Sequence, residues 1–273
     1  MRSVFTTFSV LEALAEAQPV GVGALARELD LPKSTVQRSL TTLAEVGWIR
    51  PLDSSGHTRW ILTARPLKLA GHVLRHERLL REAAAPAMAD LARQTRETIH
   101  LTIVDGDSVI LLDKIDSTHT VRNVSWVGGR APLHASASGL AILAHLPADA
   151  ITRHPLTKYT GQTVTDAEAL GATLATVRKR GYAINTGMWR DDVSAVAAAI
   201  LDPTGVPAAS LSISVPTYRL SDALRDQYGI LVRDAAARVT SLWYGQDPEN
   251  NPMAEQHRPP VPAGDPTSGG PRR

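Results

Sequence analysis

The 273-residue chain contains no cysteine, which excludes a disulfide framework, a cysteine nucleophile and a thiolate metal site. Aromatic residues make up only 4% of it, too few for the ring platforms on which sugars or single-stranded bases stack. No apolar run approaches the roughly 20 residues that cross a bilayer. The opening stretch MRSVFTTFSVLEALAEAQ, with Glu12 and Glu16, lacks the long apolar region and small-residue cleavage site of a secretory signal. A cytoplasmic protein with no membrane partner is expected. What the chain does hold is 43% hydrophobic residues, enough for real cores, in a length that suits about two domains of ordinary size.

Charge is unevenly spread. Residues 1–75 carry nine bases and six acids, whereas the remainder carries 20 bases and 21 acids. A modestly basic front end on a neutral body is compatible with binding a polyanion.

Hydrophobic spacing divides the chain further. Up to residue 62 there are three short helical patterns: Phe8, Leu11, Leu14 and Ala15, then Leu25, Ala26 and Leu29, then Val36, Leu40 and Leu43. Gly21-Val22-Gly23 separates the first two, and Asp30-Leu31-Pro32 the second and third. Proline is tolerated in a first helical turn because its missing N–H has no partner there. Gly47 reads as a C-terminal glycine. Trp48-Ile49-Arg50, a polar turn Asp53-Ser54-Ser55-Gly56 and Thr58 to Leu62 then predict a two-stranded hairpin.

Residues 63–78 predict a linker helix through Leu67, Ala70, Gly71, Val73 and Leu74. The region 79–244 mixes helices and strands. LREAAAPAMADLARQT predicts a helix, and HLTIVDGDSVILLDKI predicts two strands around an Asp105-Gly106 turn. ASASGLAILAHL predicts another helix, and Thr165 with Glu168 fits a capping box for a helix running to Arg180. Strands are expected at about 182–185, 194–201 and 207–215, then a closing helix from Ser221 to Tyr244. The segment 245–273 holds seven of the eighteen prolines and no Leu, Ile or Phe. Such a composition cannot offset its ordering entropy by burial, so a disordered tail is expected.

Three helices followed by a hairpin are the parts of a winged helix-turn-helix, which lays its last helix in a DNA major groove. The stretch LPKSTVQRSLTTL fits that role: Lys33, Ser34, Gln37, Arg38 and Thr41 form a face with no carboxylate before Glu45. Gln37 can pair with adenine and Arg38 with guanine. Ser34, Thr35 and the helix N-terminal amides suit phosphate oxygens. Arg59, on the returning strand, is placed to reach the backbone or minor groove. One such helix alone is as readily the solvated face of an amphipathic helix; the order of helices and wing favours double-stranded DNA.

In this order and spacing, LEALAEAQPVGVGALARELDLPKSTVQRSLTTLAEVGWI, RWILTARPLKLA, APLHASASGLAILAHLP, KRGYAI and VAAAILDPTGVPAASLSISVPTYRLSD resemble the IclR family of bacterial transcription regulators. The resemblance covers about residues 3–244. It implies an α+β protein: a winged helix-turn-helix at 1–62, a linker helix at 63–78 and a GAF-like effector-binding domain at 79–244. It further implies a homodimer or tetramer that controls genes of small-molecule metabolism, with no cofactor. Ala137, Ser138 and Gly139 would enter a helix with amides able to hold a carboxylate. Ser212 and Ser214 alternate on one strand, so both face one side, which in this family lines the effector cavity. Asn185 and Ala195 also match cavity positions, where an aspartate and a cysteine can stand in the family. Losing that carboxylate implies a different effector or a weakened site.

An enzyme fits the same residues poorly. His134-Ala135-Ser136-Ala137-Ser138-Gly139 offers His and Ser without a nucleophile elbow or a spaced acid. Asp191 and Asp192 are adjacent, so their carboxylates point apart, and His72 with His76 is a histidine pair without further ligands. No phosphate loop or dinucleotide fingerprint occurs. A DNA-binding regulator responding to a small organic acid, more a repressor than an activator, is therefore expected. The competing reading is a ligand-insensitive DNA-binding or scaffolding protein with a decayed pocket.

Overall fold

The structure is a computed structural model that describes residues 2–54, 57–151, 153 and 155–245. The proline-rich segment after Gly245 lies outside the described residues, as do Ser55 and Gly56 of the expected turn. The chain divides into two compact units, one of Met1–Glu77 and one beginning at Arg78.

The first unit runs α1 (Arg2–Ala17), α2 (Val22–Glu28), α3 (Lys33–Glu45), β1 (Ile49–Ser54), β2 (His57–Leu62) and α4 (Arg65–His76). Val10, Leu14, Leu25, Val36 and Leu40 meet in a fully buried centre, closed by Ile49 and Trp60 from the hairpin. The hairpin is antiparallel with Ile49 opposite Leu62 and Ser54 opposite His57, and Val20 bridges to Trp60. α3 buries Val36, Leu40 and Leu43 as its spacing predicts, and α2 buries Leu25 and Ala26, with Leu29 half-buried just beyond its end. α1 departs from its spacing: Phe8 is 58% exposed, and the buried stripe is Val10, Ala13 and Leu14. Hydropathy alone favours Phe8, but the inward face is set by where α3 lies, and α3 meets the Val10 side.

Gly47 has the left-handed backbone (φ 76°) expected just beyond the end of α3. The chain then turns sharply into the hairpin. The Thr63 hydroxyl donates to the Gly47 carbonyl at 2.8 Å, and the Arg65 guanidinium donates to the Val46 carbonyl. α4 buries none of its residues; Leu67, Leu69 and Val73 are exposed.

The second unit opens with α5 (Arg78–Thr95) and carries a six-stranded antiparallel sheet in the order β5-β4-β3-β8-β7-β6. The strands are β3 (Thr98–Asp105), β4 (Ser108–Ile115), β5 (Arg130–Pro132), β6 (Ala183–Thr186), β7 (Val193–Leu201) and β8 (Pro207–Pro216). α5 and α8 (Asp222–Tyr244) cover one face, while α6 (Ala137–Leu143) covers the other and is backed by α7 (Ala167–Arg180). Every residue of β8 is buried, because it lies at the middle of a sheet sandwiched between helices. Its alternation sends Leu211, Ile213 and Val215 to one face and Ser210, Ser212 and Ser214 to the other.

Three local expectations are revised. α7 is capped by Asp166, whose carboxylate accepts from the Ala169 amide at 2.8 Å, and not by Thr165. Aspartate caps as well as threonine and adds a favourable charge at the helix N-terminus. The helix within ASASGLAILAHL spans only Ala137–Leu143. The short edge strand β5, unforeseen from its three residues, pairs with β4.

The packing of the first unit leads to a stability prediction. Leu40→Ala removes a fully buried side chain from the helix centre and is expected to cost about 2–5 kcal/mol. Thr41→Ala, on the exposed face of the same helix, is expected to stay within about 0.5 kcal/mol. Urea unfolding followed by circular dichroism checks the contrast.

Candidate functional site

Two surfaces carry the residues singled out above. On α3, Val36, Leu40 and Leu43 anchor the helix to the core, which fixes Lys33, Ser34, Gln37, Arg38 and Thr41 on the exposed side. Thr35 is half-buried beside them. The Thr41 hydroxyl is occupied by its own helix, donating to the Gln37 carbonyl at 3.0 Å. Pro32 at the N-cap has no side-chain oxygen to take a first-turn amide. Among the described residues, the Lys33 and Ser34 amides make no backbone hydrogen bond. That helix end therefore presents free N–H donors beside a lysine, an arrangement suited to phosphate. Arg38 also lines a groove of about 370 Å³ against Ser3, Val4 and Thr7 of α1.

The hairpin adds a second basic element. Arg59 is exposed and opposes Leu52, and Arg50 lies two residues from Leu52, so both arginines share the outer face. Arg50 was not singled out from the sequence. The signal was available in the period-two alternation around buried Ile49 and Trp60, which forces Arg50 and Arg59 outward together.

In the second unit the sheet register gathers the remaining residues. Ala195 opposes Ser214, and Ala197 opposes Ser212; on the far side Asn185 opposes Ala195. On the other flank of β8, Thr98 opposes Ser214 and His100 opposes Ser212. Directly opposed residues share a face, so Asn185, Ala195, Ser212, Ser214 and His100 lie on the side covered by α6. His100 had no mark in the sequence, because only the pairing of β3 with β8, more than a hundred residues apart, places it there.

α6 packs on this face against the small side chains of Ala195, Ala197 and Ala199, and its own entrance is tight. A Cβ at Gly139 would lie 2.2 Å from the Leu133 carbonyl oxygen, so no larger residue fits there. The Gly139 amide donates to the Ser136 hydroxyl at 3.1 Å, which caps the helix. Of the three residues expected to offer amides, Gly139 has thus committed its own. Asn185 is committed as well. Its Nδ2 donates to the Ala135 carbonyl at 2.6 Å, and its Oδ1 accepts from the Met188 amide at 2.9 Å. It ties the entrance of α6 to the turn after β6.

The hydroxyls divide into two kinds. Ser210 bonds to Thr102 at 2.8 Å, Ser136 donates to the Pro132 carbonyl, and Ser214 accepts from Asn123 Nδ2 at 2.8 Å. Ser138 and Ser212 are as deeply buried, yet their hydroxyls make no hydrogen bond among the described residues. Neither oxygen is among the fully enclosed unpartnered atoms of the described residues, so each free hydroxyl keeps open space in front of it. His100 Nε2 bonds to the Ser125 hydroxyl at 2.8 Å. His100 keeps part of its surface open, but burial of the ring pushes its pKa down to about 4; Lys114 lowers it further and Asp116 opposes. The imidazole is neutral at physiological pH. A separate cavity of about 180 Å³ beside His134, Leu143 and Tyr159 contains none of the predicted effector residues.

A three-helix head with a wing, followed by a sheet domain whose serine-bearing face keeps hydroxyls without protein partners, fits one class: a DNA-binding transcriptional regulator with an effector domain. Residues 3–53 match the model of the IclR helix-turn-helix domain, and residues 71–241 that of the bacterial transcriptional regulator IclR C-terminal domain. The chain belongs to the IclR family. It is 32% identical to the HTH-type transcriptional regulator KdgR of Escherichia coli over 243 residues, covering 88% of this chain and 91% of that protein. It is also 32% identical to the transcriptional repressor IclR of Escherichia coli over 252 residues, 90% of each. A crystal structure of an IclR homolog from Microbacterium hydrocarbonoxydans complexed with 4-hydroxybenzoate superposes with a TM-score of 0.68 at 27% identity, covering 89% of this chain and all of that one.

Members of this family are transcriptional regulators. Among the described residues no group of three or more His, Asp or Glu is placed to hold a metal ion, and no helix is long and apolar enough to cross a membrane.

The buried histidine generates a pH prediction. Its folded pKa is depressed, so below the ordinary value of 6.5 the unfolded chain takes up a proton that the folded chain refuses until about 4. Stability is therefore unaffected by this group above pH 7 and is lost as pH falls from 6.5 to 4, by roughly 3 kcal/mol in all. Urea titrations at stepped pH should show that slope in the wild type, and a shallower one in His100→Gln.

Proposed function

We propose that the protein is a homodimeric repressor that releases its operator when a small organic acid binds between Ser138 and Ser212. The observation that carries the effector assignment is that the Ser138 and Ser212 hydroxyls have no hydrogen-bond partner among the described residues and are not fully enclosed, while Ser210, Ser214 and Asn185 are paired. Two hydroxyl donors with neutral His100 beside them, and no carboxylate among these groups, suit a carboxylate ligand. The Ala137 and Ser138 amides and the alanine floor at Ala195 complete the reading, with Ser214, Asn185 and Gly139 as its frame. The bound 4-hydroxybenzoate of the Microbacterium protein supports an acid of that size, and the partly buried Trp189 packs beside the same face.

On the DNA side, Gln37 and Arg38 read base edges, while Lys33, Ser34, Thr35, Thr41, Arg50 and Arg59 hold phosphates. Dimeric winged helices read paired half-sites, so the operator is a near-palindrome. The exposed Leu67, Leu69 and Val73 on α4, with Val4 and Phe5 on α1, offer the apolar surface a second copy covers. The effector shifts the equilibrium only as far as its affinities for the DNA-bound and released states differ. The same features support a cytoplasmic setting.

Arg38→Ala is expected to weaken operator binding by about 1–3 kcal/mol and relax preference at one base pair. Lys33→Ala should weaken all sequences alike and reduce the slope of log K against log salt by about 0.9. Fluorescence anisotropy against the operator and scrambled duplexes separates the two effects; wild-type behaviour in both variants would remove α3 as the reader.

For the effector, Ser138→Ala with Ser212→Ala should abolish release of DNA by acid and leave operator affinity without acid unchanged. Isothermal titration of wild type and double variant against acetate, benzoate and 4-hydroxybenzoate decides it. Equal binding by both proteins would move the site elsewhere, and binding by neither would favour a ligand-insensitive regulator.

A further inference from the structure

The segment between β4 and β5 crosses the serine-bearing face and is held there in an unusual way. Its root is firm: the Ser117 hydroxyl donates to the Arg96 carbonyl at 2.8 Å, and the Ser117 amide donates to Thr98 Oγ1 at 3.2 Å. Arg219, ion-paired at 2.7 Å with buried Glu97, donates to the Val121 carbonyl at 2.8 Å. Its far end is firm too, since Gly128 and Gly129 exchange backbone bonds with Leu111. Between Arg122 and Val127, however, the described residues show no backbone hydrogen bond from the segment to the sheet.

What holds that stretch is two side chains. Asn123 and Ser125, two residues apart, are the half-buried positions, and Arg122, Val124 and Trp126 between and beside them are exposed. Asn123 Nδ2 donates to the Ser214 hydroxyl and Ser125 meets His100 Nε2, both at 2.8 Å. Ser214 and His100 are the groups that flank the unpartnered Ser212: one lies two residues along β8, and the other directly opposes it across the strand pair. The segment thus satisfies the polar neighbours of the effector position and leaves the central hydroxyl open.

We propose that Asn123 and Ser125 are internal stand-ins for the effector: a carboxylate bound at Ser212 takes over Ser214 and His100 and displaces both side chains, freeing the 122–127 stretch. This rests on the assignment of the serine face as the effector site. The exchange reverses the hydrogen bond at Ser214: Asn123 Nδ2 now donates to that hydroxyl, whereas a carboxylate accepts from it. Ser214 keeps its own proton to donate once Asn123 leaves, and neutral His100 can donate from Nε2 once Ser125 no longer fixes it. With only two side-chain bonds to break over six residues, release of the stretch is a low-energy local opening. It also changes the presentation of Val124, Trp126 and Val127, which are exposed along its outer edge. The effector state is then written on the surface of the domain without any change in the sheet.

The test compares wild type with the Asn123→Ala, Ser125→Ala double variant. Isothermal titration with acetate, benzoate and 4-hydroxybenzoate should show about tenfold tighter binding by the double variant of any acid that the wild type binds. Hydrogen exchange read by mass spectrometry should show amides 122–127 exchanging faster in the unliganded double variant, and in wild type once acid is bound, with β3 and β8 unchanged. Acid binding by the double variant alone also supports the proposal. If the wild type binds an acid and the double variant binds it equally or more weakly, the stand-in role is overturned while the effector site survives. If neither protein binds any of the three, the effector assignment fails and the stand-in role falls with it. An unchanged thermal midpoint in the double variant shows that the comparison is between folded proteins.

Discussion

The organisation of the second unit depends on one constraint: β8 is buried along both faces, yet on one of them the side chains from Ser210 to Ser214 are all serines. A fully buried central strand is ordinarily aliphatic on both sides, and here Leu211, Ile213 and Val215 satisfy that rule toward α5 and α8. The opposite side carries hydroxyls, and each buried hydroxyl must find a partner or impose a cost. Ser210 is paired within the sheet by Thr102, and Ser214 from above by Asn123. Ser212 lies between them without either solution. The small volume of these side chains, continued by Ala195, Ala197 and Ala199 on β7, also leaves room for α6 to pack on this face. Close packing and unsatisfied polarity come from the same choice of residues.

The first unit solves a different problem with an ordinary core. Val10, Leu14, Leu25, Val36 and Leu40 fill the space between three short helices, and Ile49 and Trp60 close it from the hairpin. Such short helices are marginal alone and take their stability from this shared packing. α3 is therefore held by its apolar side, which leaves its polar side free. The absence of an acid on it before Glu45, the proline N-cap that leaves first-turn amides free, and the shared outward face of Arg50 and Arg59 all suit the polyanion of the proposed function. Position is supplied by the apolar side and recognition by the polar side, so the two can vary separately.

Helix-by-helix, much of this was legible from residue spacing. α2, α3, the hairpin, β6 to β8 and the closing helix fall where periodicity and punctuation place them, because those signals are local. The misses are instructive. Phe8 falls in the helical spacing of Leu11, Leu14 and Ala15 and is nevertheless exposed, because burial is decided by the neighbour that the face meets. Asp166 displaced Thr165 as the cap by a single residue, a shift within reach of either side chain. β5 was invisible because three residues carry no period, and its existence depends on the edge that β4 offers.

The site divides along the same line. The alternation of Ser212 and Ser214 is a one-dimensional fact, and with it their common face follows from the pleat of any strand. The order of three helices and a wing, and the acid-free face of α3, likewise belong to the sequence alone. Which residues join the serines does not. His100, Asn123 and Ser125 are far from these serines along the chain, and only the β3–β8 register and the path of the 116–129 segment bring them over β8. The Gly139 amide, and one N–H and the oxygen of Asn185, are engaged at the entrance of α6 and in the turn after β6. Local spacing can announce a donor, but whether that donor is still free is settled by partners that only the tertiary fold supplies.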